Sequence, residues 1–197
     1  MLRIIAMSVL SGFLLAGTPQ AVAAPINFTA TLTGAAERPD PVNTPGTGSS
    51  IVTFDIVAHT MRVQINFQGL LGLTTVAHIH APIDPATETA SVATQVPTFI
   101  GFPPGVQAGA YDRIFNTLDP ATYNPAFVAA HGGSAASAET ALFAFLLGGD
   151  AYVNVHTNLF TAGEIRGNLA QVQVPEPATI ALLLGALGLT AAARRRR

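Results

Sequence analysis

Five histidines are spread through 197 residues, and two of them stand two apart in Val76-Ala77-His78-Ile79-His80. A neutral imidazole is a good ligand for Zn2+ or Cu2+. On an extended strand, side chains two apart share a face and sit about 7 Å from one another, so the His78 and His80 rings can reach one ion. The run Tyr152 to Thr157 has the same parity, with Val153 and Val155 on one face and Asn154 and His156 on the other. In Glu164 to Leu169, Ile165 opposes Glu164 and Arg166. If these strands are neighbours, His78, His80 and His156 form an open three-ligand site for Cu or Zn, with Asn154, Glu164 and Arg166 as the supporting polar face. A second chemistry fits the same residues. The imidazoles could bond to backbone carbonyls and to the Glu164 carboxylate, fixing the sheet and binding nothing, with Glu164 and Arg166 as a cross-strand ion pair. Both readings stay open on the sequence alone. It offers no catalytic set and no organic cofactor motif.

The elements that must position these residues are mostly short strands between turns. Ile26, Phe28, Ala30 and Leu32 alternate with polar residues, as a half-buried strand requires. Glu37 to Ser50 holds three prolines and two glycines and predicts a loop. Ile51–Val57 and Met61–Phe67 read as a hairpin about Ala58-His59-Thr60, followed by a strand at Thr75–His80. From there to about Gly149 the pattern is irregular. Asn124-Pro125 predicts a capped helix stopped at Gly132, and Ser137 a second, Ala138 to Leu147, ended by Gly148-Gly149. A further strand falls between Gly109 and Leu118, and Tyr152–Thr157 and Glu164–Leu169 close the domain. The expected fold is all-β: an antiparallel β-sandwich of about seven or eight strands with a partly helical insertion.

Both ends are targeting segments. Residues 1–23 combine an Arg near the start, an apolar stretch from Ile4 to Leu15 and the small residues Ala21-Val22-Ala23, which predicts a signal peptide cut by signal peptidase between Ala23 and Ala24. At the other end Pro175-Glu176-Pro177 precedes sixteen uncharged residues, Ala178 to Ala193, and then Arg194, Arg195, Arg196 and Arg197. As a helix that stretch is about 24 Å long, a thin transmembrane span whose arginines stay on the cytoplasmic side. The expected division is therefore 1–23 signal peptide, 24–174 exported domain and 175–197 membrane tail.

Composition removes several classes of function. Between Ala24 and Val174 ten acids face four arginines, a net charge of minus six, which opposes nucleic-acid binding. No lysine is present, which excludes a phosphate-binding Walker loop and Schiff-base chemistry. No cysteine is present either, so thiol catalysis and disulfides are excluded and the core alone must hold the fold.

Three segments, FTATLTGAAERPDPVNTPGTGSSIVTFD, GLTTVAHIHAP and DAYVNVHTNLFTAGEIRGNLA, resemble the CHRD domain. Ala81 and Ala162 stand where members of that family often have glycine and proline. The resemblance implies an extracellular β-rich domain and no particular reaction. The Pro-Glu-Pro, helix and Arg run resemble a PEP-CTERM sorting tail, which in bacteria with that system implies recognition by an exosortase in the membrane. Together these readings describe an exported surface or extracellular-matrix protein, passing through an inner-membrane intermediate by way of a transient or retained tail. It is expected to be a non-enzymatic binding or structural module with extracellular polysaccharide as a candidate partner. The alternative is an exported metalloprotein with a three-histidine Cu or Zn site, redox-active if copper fills it.

Overall fold

The computed structural model describes residues 24–172; the expected signal peptide, the Pro-Glu-Pro motif, the transmembrane stretch and the Arg run lie outside them. Among the described residues no helix is long and apolar enough to cross a membrane.

Eight strands form: β1 (Ile26–Thr33), β2 (Thr47–Asp55), β3 (Thr60–Gln68), β4 (Thr74–His80), β5 (Gly109–Asn116), β6 (Tyr152–Thr157), β7 (Ile165–Asn168) and β8 (Ala170–Gln171). They pair antiparallel in the order β4-β6-β7-β1-β2-β3-β5, with β8 also on β1. This corrects the expectation of a sandwich. Because β1 bonds to β2 on one side and to β7 and β8 on the other, the ladder runs unbroken through a single sheet, which curls into a half-barrel around its core. Alternation fills that core: Phe28 and Leu32 of β1, Val52 and Phe54 of β2, and Met61, Val63 and Ile65 of β3 are all buried.

Two α-helices among the described residues, α1 (Pro125–Ala130) and α2 (Ala135–Gly148), contribute side chains to this core. Asn124 caps α1 through the Ala126 amide, with Pro125 at the first turn, as its sequence predicts. The second helix begins one turn earlier than expected. Ser134 is its N-cap and Ser137, three residues on, completes a reciprocal capping box, while Gly149 ends it in the left-handed conformation. Ala138, Leu142 and Leu146 of α2 face inward, and Phe143 lies 5.0 Å from the Phe54 ring. β2 also starts earlier than expected, at Thr47, inside the stretch predicted as loop.

The free side of β4 is covered by the segment between β4 and β5. Ala93 N–H donates to Ile79 O at 3.0 Å, Phe99 N–H to Ala77 O at 3.3 Å and Gly105 N–H to Thr74 O at 2.8 Å. Thr94 and Thr98 hydroxyls accept from the Ile79 and Ala77 amides, both at 3.0 Å. An edge that would otherwise present open donors and acceptors is thus satisfied by a loop.

Candidate metal centre

The sheet order makes neighbours of the three strands that carry the polar residues. β4 pairs with β6 so that His78 faces Asn154 and His80 faces Tyr152, and β6 pairs with β7 so that Asn154 faces Arg166. Ala77, Ile79, Val153, Val155 and Ile165 all point into the core, leaving His78, His80, Asn154, His156 and Arg166 on the opposite face. That face is not open to solvent. His78, His80 and His156 are buried, because the β4–β5 segment and the turn between β6 and β7 lie over them.

The three rings meet. Their centroids are 5.7 Å apart for His78 and His80, 5.6 Å for His78 and His156, and 5.8 Å for His80 and His156. One nitrogen from each lies within 4.8 Å of the other two. Each ring spends its remaining nitrogen on a backbone carbonyl: His78 Nε2 on Pro97 O at 2.8 Å, His80 Nδ1 on Ala90 O at 2.9 Å, and His156 Nδ1 on Thr161 O at 3.0 Å. A carbonyl accepts only, so each of those nitrogens carries the proton and the tautomer is fixed. The other nitrogens, His78 Nδ1, His80 Nε2 and His156 Nε2, are buried lone pairs without a partner. Burial pulls His78 down to about 4 and His80 to about 3, and lowers His156, from the ordinary 6.5; the carbonyl contacts oppose the shift without overcoming it. Three neutral, oriented and buried ring nitrogens form a donor set suited to Zn2+ or Cu2+, with carbonyls as the outer partners that metal-ligating histidines usually have.

The supporting face divides. Asn154 and Arg166 are where alternation places them, with Glu37 beside them, a residue that lies in a sequence loop and had no periodicity to reveal it. Asn154 Nδ2 donates to Glu37 Oε2 at 3.3 Å and to Ala162 O at 3.4 Å. Burial raises Glu37 to about 7, against the opposing effects of Arg166 and of the Asn154 bond. Tyr152 stacks on His80 at 4.7 Å and 6°, and the Arg166 guanidinium carbon lies 3.6 Å from the Tyr152 ring centre. The parity that picks out Asn154 and His156 also picks out Tyr152, two residues earlier.

Glu164 does not join them. It stands in a bend just before β7, next to Gly163 at φ 135°, where strand alternation no longer applies. Its carboxylate accepts from Thr44 Oγ1 at 2.7 Å, Leu71 N at 2.6 Å, Gly72 N at 3.0 Å and Thr157 Oγ1 at 2.8 Å. Burial opposes its ionisation, and these four donors override it, holding the carboxyl below the usual range. Glu164 is therefore a clasp that ties the β1–β2 and β3–β4 loops to the end of β6; it is neither a histidine partner nor half of an ion pair with Arg166. His59, in the turn of the predicted hairpin, bonds through Nδ1 to the buried Glu139 carboxylate at 3.0 Å, and His131 is the C-cap residue of α1, its ring 4.4 Å from Phe127.

An antiparallel β-domain with a buried histidine triangle, fed by the adjacent strands β4 and β6, defines the class of protein. The chain belongs to the CHRD domain family, whose profile matches residues 28–169. A PEP-CTERM protein-sorting motif matches residues 173–197 and directs exosortase-dependent export to the cell surface or the extracellular space. No curated protein and no solved structure matches the chain.

Proposed function

We propose that this is an exported surface protein whose CHRD domain holds one Cu or Zn ion through His78, His80 and His156. One observation carries the reading: three buried ring nitrogens without a hydrogen-bond partner lie within reach of a common centre, while their sister nitrogens are tied to carbonyls. Orphaned buried polar atoms are costly in isolation, and three of them in one triangle argue for a shared partner. Three protein ligands leave a coordination position open, which suits a bound water or a small exogenous ligand. The chain supplies no lysine or cysteine nucleophile, so a binding or structural role at the surface accompanies the ion, with extracellular polysaccharide as the partner class.

Processing follows from the two ends. Signal peptidase cuts between Ala23 and Ala24, and the domain 24–174 emerges on the far side of the inner membrane, held by the tail 175–197. The exosortase then acts at Pro175-Glu176-Pro177, with Arg194 to Arg197 remaining inside. Mass spectrometry of secreted material checks this, and a mature form that keeps the Arg run counts against it.

For the ion, the full chain is purified in mild detergent, stripped with chelator, reconstituted with Zn2+ or Cu2+ and analysed for tightly held metal. About one equivalent is expected, and less than ~0.1 equivalent refutes the site. A triple alanine variant at His78, His80 and His156 is expected to hold none.

A further inference from the structure

Arg166 is 2% exposed, yet among the described residues no carboxylate lies within ion-pair distance of its guanidinium. Its one hydrogen bond runs from Nη2 to the neutral Asn168 Oδ1 at 3.2 Å, and its Nε is buried with no partner at all. Glu37 is the acid of the same cluster, but burial pushes that carboxyl up to about 7, so it is an incomplete counter-charge at neutral pH. A buried guanidinium without a paired anion is expensive to maintain unless something else supplies the charge.

The place from which a partner could come is visible. Arg166 forms part of the wall of a cleft of about 390 Å3 whose other polar walls are Thr31, Arg38, Glu88, Asp150 and Asn168. That volume accommodates one small ring. The charges in it choose the ligand. Arg38 is engaged by Glu88 at 2.6 Å, which leaves Arg166, whose contacts are the Tyr152 ring face and the Asn168 amide, as the cation without a carboxylate partner and Asp150 as a standing acid. Asp150 and Glu88 repel a multiply charged phosphate or sulfate, but both accept hydrogen bonds from hydroxyl groups, as do Thr31 and Asn168. A single carboxylate on a hydroxylated ring satisfies both halves of the cleft, its two oxygens matching the guanidinium fork.

We propose that this cleft is a binding site for a sugar acid, with Arg166 taking the carboxylate and the Thr31, Asp150 and Asn168 side taking ring hydroxyls. None of the three histidines lines the cleft, and Arg166 meets the triangle only through the Tyr152 ring stacked on His80, so binding there does not require the ion. The ligand chemistry has two sources, a free uronic acid and a uronic-acid residue in a polymer.

The test is calorimetric titration of the chelator-stripped full chain, so that no carboxylate–metal contact contributes, with glucuronate, glucose, inorganic phosphate and a short oligoglucuronate as probes. Glucuronate binds one per chain, while glucose and phosphate bind at least about tenfold more weakly. Arg166→Gln loses at least about tenfold in glucuronate affinity, and Glu37→Gln, which removes a competing negative charge, gains affinity. A tighter oligomer assigns the polymer as the source, and equal affinity per carboxylate assigns the free acid. Glucose binding as well as glucuronate, or a folded Arg166→Gln that binds as the wild type does, overturns the proposal. Should Arg166→Gln fail to fold, the glucuronate-to-glucose ratio of the wild type decides, and a ratio near one refutes the proposal.

Discussion

Replacing Glu37 by Gln should make the fold markedly more sensitive to acid, because two opposing titrations meet in one cluster. Burial lowers His78 to about 4 and His80 to about 3 from 6.5, so at pH 5 both rings stay neutral in the folded chain while the unfolded chain protonates them. Their stabilisation is present above pH 6.5 and is lost as the pH falls toward the folded values. Each pH unit below 6.5 favours unfolding by ~1.36 kcal/mol per ring, hence about 2 kcal/mol each at pH 5.0 and about 4 kcal/mol for the pair. His156 is lowered by burial and acts in the same direction. Glu37 acts in the other. Raised to about 7 from 4.5, it takes up its proton in the folded chain first, which stabilises the fold progressively below pH 7. By pH 5.0 that gain is about 2.7 kcal/mol. The wild-type chain therefore loses roughly 1 to 2 kcal/mol between pH 7.5 and 5.0, and Glu37→Gln, with no proton to gain, loses about 4 kcal/mol. Urea unfolding of the chelator-stripped proteins at the two pH values measures this. With a slope of about 2 kcal/mol per molar, the variant's midpoint falls by about 2 M and the wild type's by under about 1 M. Parallel falls in the two proteins would show that the carboxyl and the imidazoles do not oppose one another.

Glu164→Gln removes the charge from a buried acceptor of four hydrogen bonds, and at about 1.5 to 3 kcal/mol per charged bond partly lost it should cost at least about 3 kcal/mol in urea unfolding. The same variant should keep its full metal equivalent, since that carboxylate touches none of the three rings. Gly163→Ala puts a methyl group into the Asn154 amide and 2.7 Å from Glu37 Oε1, at a φ of +135° that L residues rarely adopt. We expect a loss of about 2 kcal/mol or more by thermal unfolding, with reduced metal content, because the Thr161 carbonyl that orients His156 lies in the same turn.

Strand alternation carried most of what was legible. It placed His78, His80, Asn154, His156 and Arg166 on one face because period two is a property of extended backbone, indifferent to how strands are ordered. Strand order is a long-range property, so the single curled sheet was beyond reach: nothing local distinguishes β1 bonded on both sides from β1 at the edge of a sandwich layer. Glu164 was misplaced for a related reason. Parity counts correctly up to the first residue that is not extended, and the turn at Gly163, two residues before β7 begins, resets it for Glu164. Glu37 had no periodic signal at all. The local pattern predicts Ser137 as the cap where Ser134 is one, because both serines of a capping box carry the same signature and only helix register separates them.

The histidines were expected on the face that aliphatic residues avoid, and they are, yet that face is buried. The reason lies in the edge of the sheet. β4 needs its outer N–H and C=O groups paired, and the segment that pairs them runs back across the polar face from Ser91 to Val106. In doing so it delivers the Pro97 carbonyl to His78, and the residue just before it, Ala90, serves both His80 and the Tyr152 hydroxyl. One loop therefore protects the edge, desolvates the rings and sets their tautomers. Ring orientation is consequently tied to closure of the sheet: loosening the loop along β4 would expose the imidazoles, let them protonate near 6.5 and release the nitrogens that the carbonyls now hold. An ion held by the free nitrogens would oppose that opening by mass action, so metal should protect the backbone amides of Ala77 and Ile79, each now bonded to a threonine hydroxyl of the covering loop.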